Sequence, residues 1–95
     1  MDFPTFVDCV NAAVRSVLEQ PAQVALEETA STATWIRAAF RVGITRTPQG
    51  LEAWVGLNGR VGRRWSEQYE DSSVERLAIA FALLLNAPDD QPNHP

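Results

Sequence analysis

The sequence predicts an α+β fold: a helix, a four-stranded antiparallel β-meander and a second helix, with both helices on one face of the sheet. Three observations carry this. Apolar and polar residues alternate through the middle of the chain, from Trp35 to Tyr69. Apolar residues recur at helical spacing on either side of that stretch, and turn residues separate the alternating runs at hairpin intervals.

Thr5 reads as the N-cap of the first helix, with Asp8 three residues on. Phe6, Val10, Ala13, Val14 and Val17 share one face, opposite Asp8, Asn11, Arg15 and Glu19. Pro21 disfavours helical geometry for the residue before it, so the helix ends by Gln20. Gln23 to Thr29 alternates weakly, with Val24 and Leu26 inward and Ala25 and Glu27 outward, and predicts a first, edge strand. The small polar residues from Thr29 to Thr34 then form a loop, which places Glu27 across from Arg37 on the face away from the core.

Trp35 opens the longest alternation. Ile36, Ala38, Phe40, Val42 and Ile44 lie on one side; Trp35, Arg37, Ala39, Arg41 and Thr45 lie on the other, which predicts one long half-buried strand. Pro48 presets a turn dihedral and Gly50 closes the turn. The next strand points Leu51, Ala53, Val55 and Leu57 inward and Glu52, Trp54 and Gly56 outward. A two-residue turn at Asn58-Gly59 would put Arg60, Gly62 and Arg64 on the apolar face, so parity favours a three-residue loop, Leu57-Asn58-Gly59, with a bulge. The last strand, Arg60 to Tyr69, then bends near Gly62 and turns Trp65 and Tyr69 inward. Ser72 and Glu75 have the spacing of a capping box for the second helix, which carries nine consecutive apolar residues, Leu77 to Leu85. A helix resting on a sheet needs only an apolar stripe. Helix one and a second copy of the chain are the expected cover for the remainder, through Leu77, Phe81, Leu84 and Leu85.

A chain of 95 residues suits one domain and buries roughly two-thirds of its unfolded surface. Residues 1–86 are expected to form it, with a disordered tail at 87–95, where prolines and acids replace any periodicity. Cys9 is the one cysteine, so no intramolecular disulfide forms. The start lacks the basic and apolar pattern of a signal peptide, and no apolar run approaches the ~20 residues that span a bilayer. A cytoplasmic protein without membrane contact is the expectation.

Charge is segregated. Residues 1–34 hold five acids and one arginine, residues 35–64 six arginines and one acid, and residues 65–95 six acids and one arginine, within a net −4 and with no lysine. Catalytic chemistry finds little footing. A serine or cysteine nucleophile needs a base, and the one histidine is His94 in the tail. Cys9 has apolar helix neighbours, and no Cys/His spacing suits zinc or iron, so no metal or cofactor is expected. A carboxylate acid–base enzyme, using for example Glu27, Glu52 and Glu67, is the second alternative, and nothing selects a pair from the twelve acids. Gly59-Arg60-Val61-Gly62 has the spacing of a loop that clamps nucleic-acid backbone between two helices, but here it lies between strands.

The exposed chemistry instead points to binding. Trp35, Arg37, Arg41 and Trp54 are expected on the outer sheet face, with Arg60, Arg63 and Arg64 at one hairpin end. Tryptophan and arginine are the commonest hot-spot residues of protein interfaces. The expected function is a non-enzymatic adaptor, inhibitor or immunity-like module of bacterial or phage type, self-associating as a dimer and binding a protein with an acidic surface. Single-stranded nucleic acid is the alternative occupant of the same face, disfavoured by the acidic total.

Overall fold

The computed structural model describes residues 1–87. All but the first residue of the expected disordered tail lies outside them. The elements run α1 (Phe3–Val17), a 3-10 turn (Pro21–Gln23), β1 (Ala25–Glu28), β2 (Thr32–Arg37), β3 (Phe40–Thr47), β4 (Gly50–Leu57), β5 (Arg60–Glu67) and α2 (Asp71–Leu85). The strands form one antiparallel sheet in chain order, so every connection within it is a hairpin.

The fold is therefore α+β as expected, with five strands in place of four. The long strand predicted from Trp35 is two strands, β2 and β3, joined by the two-residue turn Ala38-Ala39, with Arg37 paired to Phe40. Ala38 takes φ 54°, the positive value that the favoured two-residue hairpin turns have at their first central position. Neither residue is the glycine or asparagine that usually marks such a turn. The turn also inverts the expected facing of β2. Trp35 pairs with Val42 and Ala33 with Ile44, on the helix-covered face, while Ile36 turns outward opposite Arg41.

Trp35 consequently forms the centre of the core. It is fully buried, its ring lies 5.5 Å from that of Phe81, and its indole N–H donates to Asn11 Oδ1 at 2.9 Å. One side chain of β2 thus touches α1 and α2 together, which sets both helices on one sheet face. Phe6, Val7, Val10 and Val14 of α1 and Leu77, Phe81 and Leu85 of α2 complete the core with Val42, Ile44 and Leu51.

Both helix starts differ from expectation. The α1 cap is Asp2, whose carboxylate accepts from the Thr5 amide at 3.0 Å, and Pro4 follows in the first turn, where a missing N–H costs nothing. Thr5 is already inside the helix. At α2 the capping box is not made: Glu70 stands at the cap without a side-chain bond, and Ser72 donates to Glu70 Oε1. The far ends of the helices are joined by Asn86, which accepts from the Glu19 amide and donates to the Val17 carbonyl. At the end of α1, the Arg15 guanidinium donates to the carbonyls of Pro21 and Val24, fixing the approach to β1.

The helix layer does not cover the whole sheet. α2 packs on β3 and β4 and against α1, and the five residues from Arg60 to Arg64 are exposed. Among the described residues no helix is long and apolar enough to cross a membrane.

Candidate protein interface

The uncovered region is built by the β4–β5 hairpin. Asn58 (φ 56°) and Gly59 (φ 79°) both lie in the left-handed region and form the two-residue turn that their identities favour, pairing Leu57 with Arg60. Parity is corrected further along. Gly56 pairs with Val61 and Val55 with Arg63, leaving Gly62 as the extra residue of a bulge. The expected three-residue loop is thus replaced by a two-residue turn, and the irregularity sits at Gly62. Val61 and Arg64 face the outer surface; Arg63 faces the helix side, with its guanidinium 5.1 Å over the Trp65 ring. Trp65 is inward as expected, opposite Ala53.

On the outer face, Trp54 lies flat across Gly43, where an added Cβ would come within 2.3 Å of the indole ring. The indole N–H donates to Thr45 Oγ1 at 3.4 Å, a long bond. Beside it is a shallow depression of about 200 Å³ lined by Arg41, Trp54, Gly56, Leu57, Gly59, Arg60 and Val61. Its floor is apolar, and Leu57 and Val61 stay 41% and 43% exposed. Arg41 donates to the Ala38 carbonyl at 3.3 Å, and Arg64 approaches Glu52 at 3.7 Å. An exposed pair at that distance contributes little and leaves the guanidinium accessible.

The structure thus gathers part of the expected outer face and disperses the rest. Arg41, Trp54 and Arg60 surround one depression with Arg64 nearby. Trp35 is core, and Arg37, on the helix-side parity, donates to the Ala87 carbonyl at 2.6 Å and lies 6.0 Å from the Phe40 ring. Glu27 pairs with Thr34, not Arg37. Leu57 and Val61 were not among the expected contacts. The Asn-Gly dipeptide after Leu57 was the signal that could have found them, since a two-residue turn there carries the hairpin past the covered sheet.

The expected self-association residues also divide. Leu77, Phe81 and Leu85 are buried in the core and Leu84 is half-buried. The exposed apolar residues of α2 are Ile79, 62% exposed, and Leu83, 74% exposed, two turns of the opposite side. They lie beside Val17 of α1 along a surface groove that includes Ala82 and Asn86.

Glu67 closes the covered end of β5. Its carboxylate accepts from Arg76 at 2.7 and 3.2 Å, from Ser73 at 2.9 Å and from the Trp65 indole at 3.0 Å. The Arg76 guanidinium, more than any other partner, holds this carboxyl below the usual glutamate range. Glu67 faces the helices while Glu27 and Glu52 face outward, so the three carboxylates share no site. The depression beside Trp54 is lined by no carboxylate. Among the described residues no cluster of His, Cys, Asp and Glu is placed to hold a metal ion. Comparison of the chain with protein-family models, with curated proteins and with solved structures finds no match.

Proposed function

We propose that this chain is a small non-enzymatic interaction module, of the bacterial or phage adaptor, inhibitor or immunity kind, that binds a protein partner through the outer surface of the β4–β5 hairpin end. One observation carries the reading: an apolar depression lined by Trp54, Leu57 and Val61 together with the exposed residues Arg41 and Arg60. Aromatic and arginine side chains around a patch that excludes water are what protein hot spots are made of. The flanking cations select an acidic partner, in a chain that is itself acidic overall.

Arg41 and Arg60 are exposed, so replacing both by glutamate leaves folding nearly unchanged and opposes an acidic partner directly. A pull-down from cell lysate with and without nuclease, comparing this double variant with the unchanged chain, tests the reading. A protein band that survives nuclease and is lost in the variant is the expected result; equal recovery by both proteins removes the site. Nucleic acid recovered in a salt-sensitive way would instead favour single-stranded nucleic acid on the same face. Self-association is a separate part of the proposal and is assigned to Ile79 and Leu83. Light scattering should show a concentration-dependent dimer that Leu83→Glu abolishes.

A further inference from the structure

We infer that the partner enters as an extended acidic segment, pairs along the open edge of β5 and becomes a sixth strand of the sheet. This rests on the interface reading above and adds the way the partner is held. β5 ends the strand order, and among the described residues no strand pairs with its outer edge.

The turns determine which backbone groups that edge presents. A two-residue hairpin is closed by a hydrogen-bonded pair, and such pairs alternate along an antiparallel ladder. The closing pair Thr47–Gly50 sends the backbone groups of Glu52, Trp54 and Gly56 toward β3, so those of Leu51, Ala53 and Val55 point toward β5. Their partners Glu67, Trp65 and Arg63 answer them. The bond from the Asn58 amide to the Ala39 carbonyl has the parity this requires. The N–H and C=O groups of Arg64 and Ser66 therefore point away from β4, into solvent.

An edge of eight residues is long to leave open, and β1, the other edge, has four. Native sheets protect such edges with charge. Here the charge also selects. Arg60 and Arg63 on one side of the ribbon and Arg64 on the other would meet the same arginines in a second β5, so self-pairing of this edge is repelled. An acidic strand meets cations on both of its faces. Its outward side chains fall beside Arg64 and Val61, at the depression near Trp54. Those on the helix side face a groove of about 320 Å³ lined by Val55, Arg63, Trp65, Ala80, Leu83 and Leu84. That groove is open because α2 rests on β3 and β4. Strand addition draws affinity from the main chain and specificity from alternate side chains, so the preferred segment alternates acidic and aliphatic residues.

The test pans a displayed library of random dodecapeptides against the full chain and measures recovered peptides by fluorescence anisotropy. Acidic, alternating sequences are expected, with the Arg64 and Ser66 amides gaining hydrogen-exchange protection on binding. Ser66→Pro removes an outward N–H and no ladder bond; it should weaken binding about tenfold or more, a change of ~1.4 kcal/mol, while Ser66→Ala binds normally. Should the proline variant fold poorly, Arg63→Glu with Arg64→Glu must give the same loss. Acidic peptides whose binding ignores Ser66→Pro and the β5 amides, yet falls in the Arg41→Glu, Arg60→Glu protein, would overturn strand addition and leave the interface standing. Recovery of no acidic sequence would overturn it too, as would displacement of the peptide by oligothymidylate. Chain-to-chain assembly blocked by Ser66→Pro would replace it with pairing to the acidic β1 edge, Glu27 and Glu28, of a second copy.

Discussion

The β2–β3 and β4–β5 hairpins end side by side, their turns joined by the bond from the Asn58 amide to the Ala39 carbonyl, and yet one is core and the other is surface. Both are closed by two-residue turns. The first carries Trp35, Phe40, Val42 and Ile44 beneath the helices. The second carries Arg60, Arg63 and Arg64 past them into solvent. The turn sets only register; burial follows from which strands the helix layer reaches and from what side chains the register delivers there.

Truncating each hairpin's tryptophan gives the widest separation. Trp35→Ala leaves a cavity at the meeting point of both helices and strands Asn11 Oδ1, so chemical denaturation should show a loss of about 3–5 kcal/mol. Trp54→Ala, on the outer face, should cost about 1 kcal/mol, because only its half-buried ring surface is lost. Similar losses at the two positions would mean that the outer face is packed as tightly as the core.

Gly43→Val tests the outer face from beneath. Its Cβ would meet both the Trp54 ring and, at 2.8 Å, the Ala33 carbonyl. Overpacking of this kind costs about 1–3 kcal/mol, and the displaced indole should shift its fluorescence toward that of a solvated tryptophan.

The covered end of β5 supplies a pH-dependent contrast with its bare end. The folded-state pKa of Glu67 is depressed, so its stabilisation is complete above the ordinary value of 4.5 and is lost as pH falls through the lower folded value. Glu67→Gln should lose about 1–2 kcal/mol near neutral pH, limited because the Arg76 side chain is 58% exposed and partly screened by water. The variant's urea midpoint should also fall less steeply on acidification. Asp2, whose carboxyl is held below its ordinary range first by the Thr5 side chain and then by the Thr5 amide, keeps some acid sensitivity in both proteins.

The smallest effect concerns the turns. Ala38 adopts a left-handed φ that Gly59 adopts freely, so Ala38→Gly should stabilise the β2–β3 hairpin by about 0.5–1 kcal/mol in thermal unfolding. A loss instead would mean that glycine's greater freedom in the unfolded chain outweighs the relief.

Alternation within a strand is a local property, and it was legible wherever the turn beyond it was. β1, β4 and the end of β5 have the facing their sequence implies. Facing across a hairpin depends on turn length, and Ala38-Ala39 has no residue that announces a turn. A period of two therefore ran on through it and sent Trp35 to the wrong side. At Asn58-Gly59 the turn signal was present, but the bulge that reconciles it with an inward Trp65 leaves no mark beyond Gly62. Hence Arg41, Trp54 and Arg60 could be named as one set, while Arg37 and Trp35 were grouped with them in error.

By itself the sequence determined two amphipathic helices around a meander, the concentration of arginine in its middle third and the excess of apolar residues on α2, because periodicity and composition act between near neighbours. Tertiary structure decided that there are five strands, that Trp35 is core, that Leu83 and not Phe81 is exposed, and that the first half of β5 is bare. The first two depend on the turn at Ala38-Ala39, which no residue type announces, and the last two on how two helices of fixed width cover a sheet wider than they are; no local pattern records either.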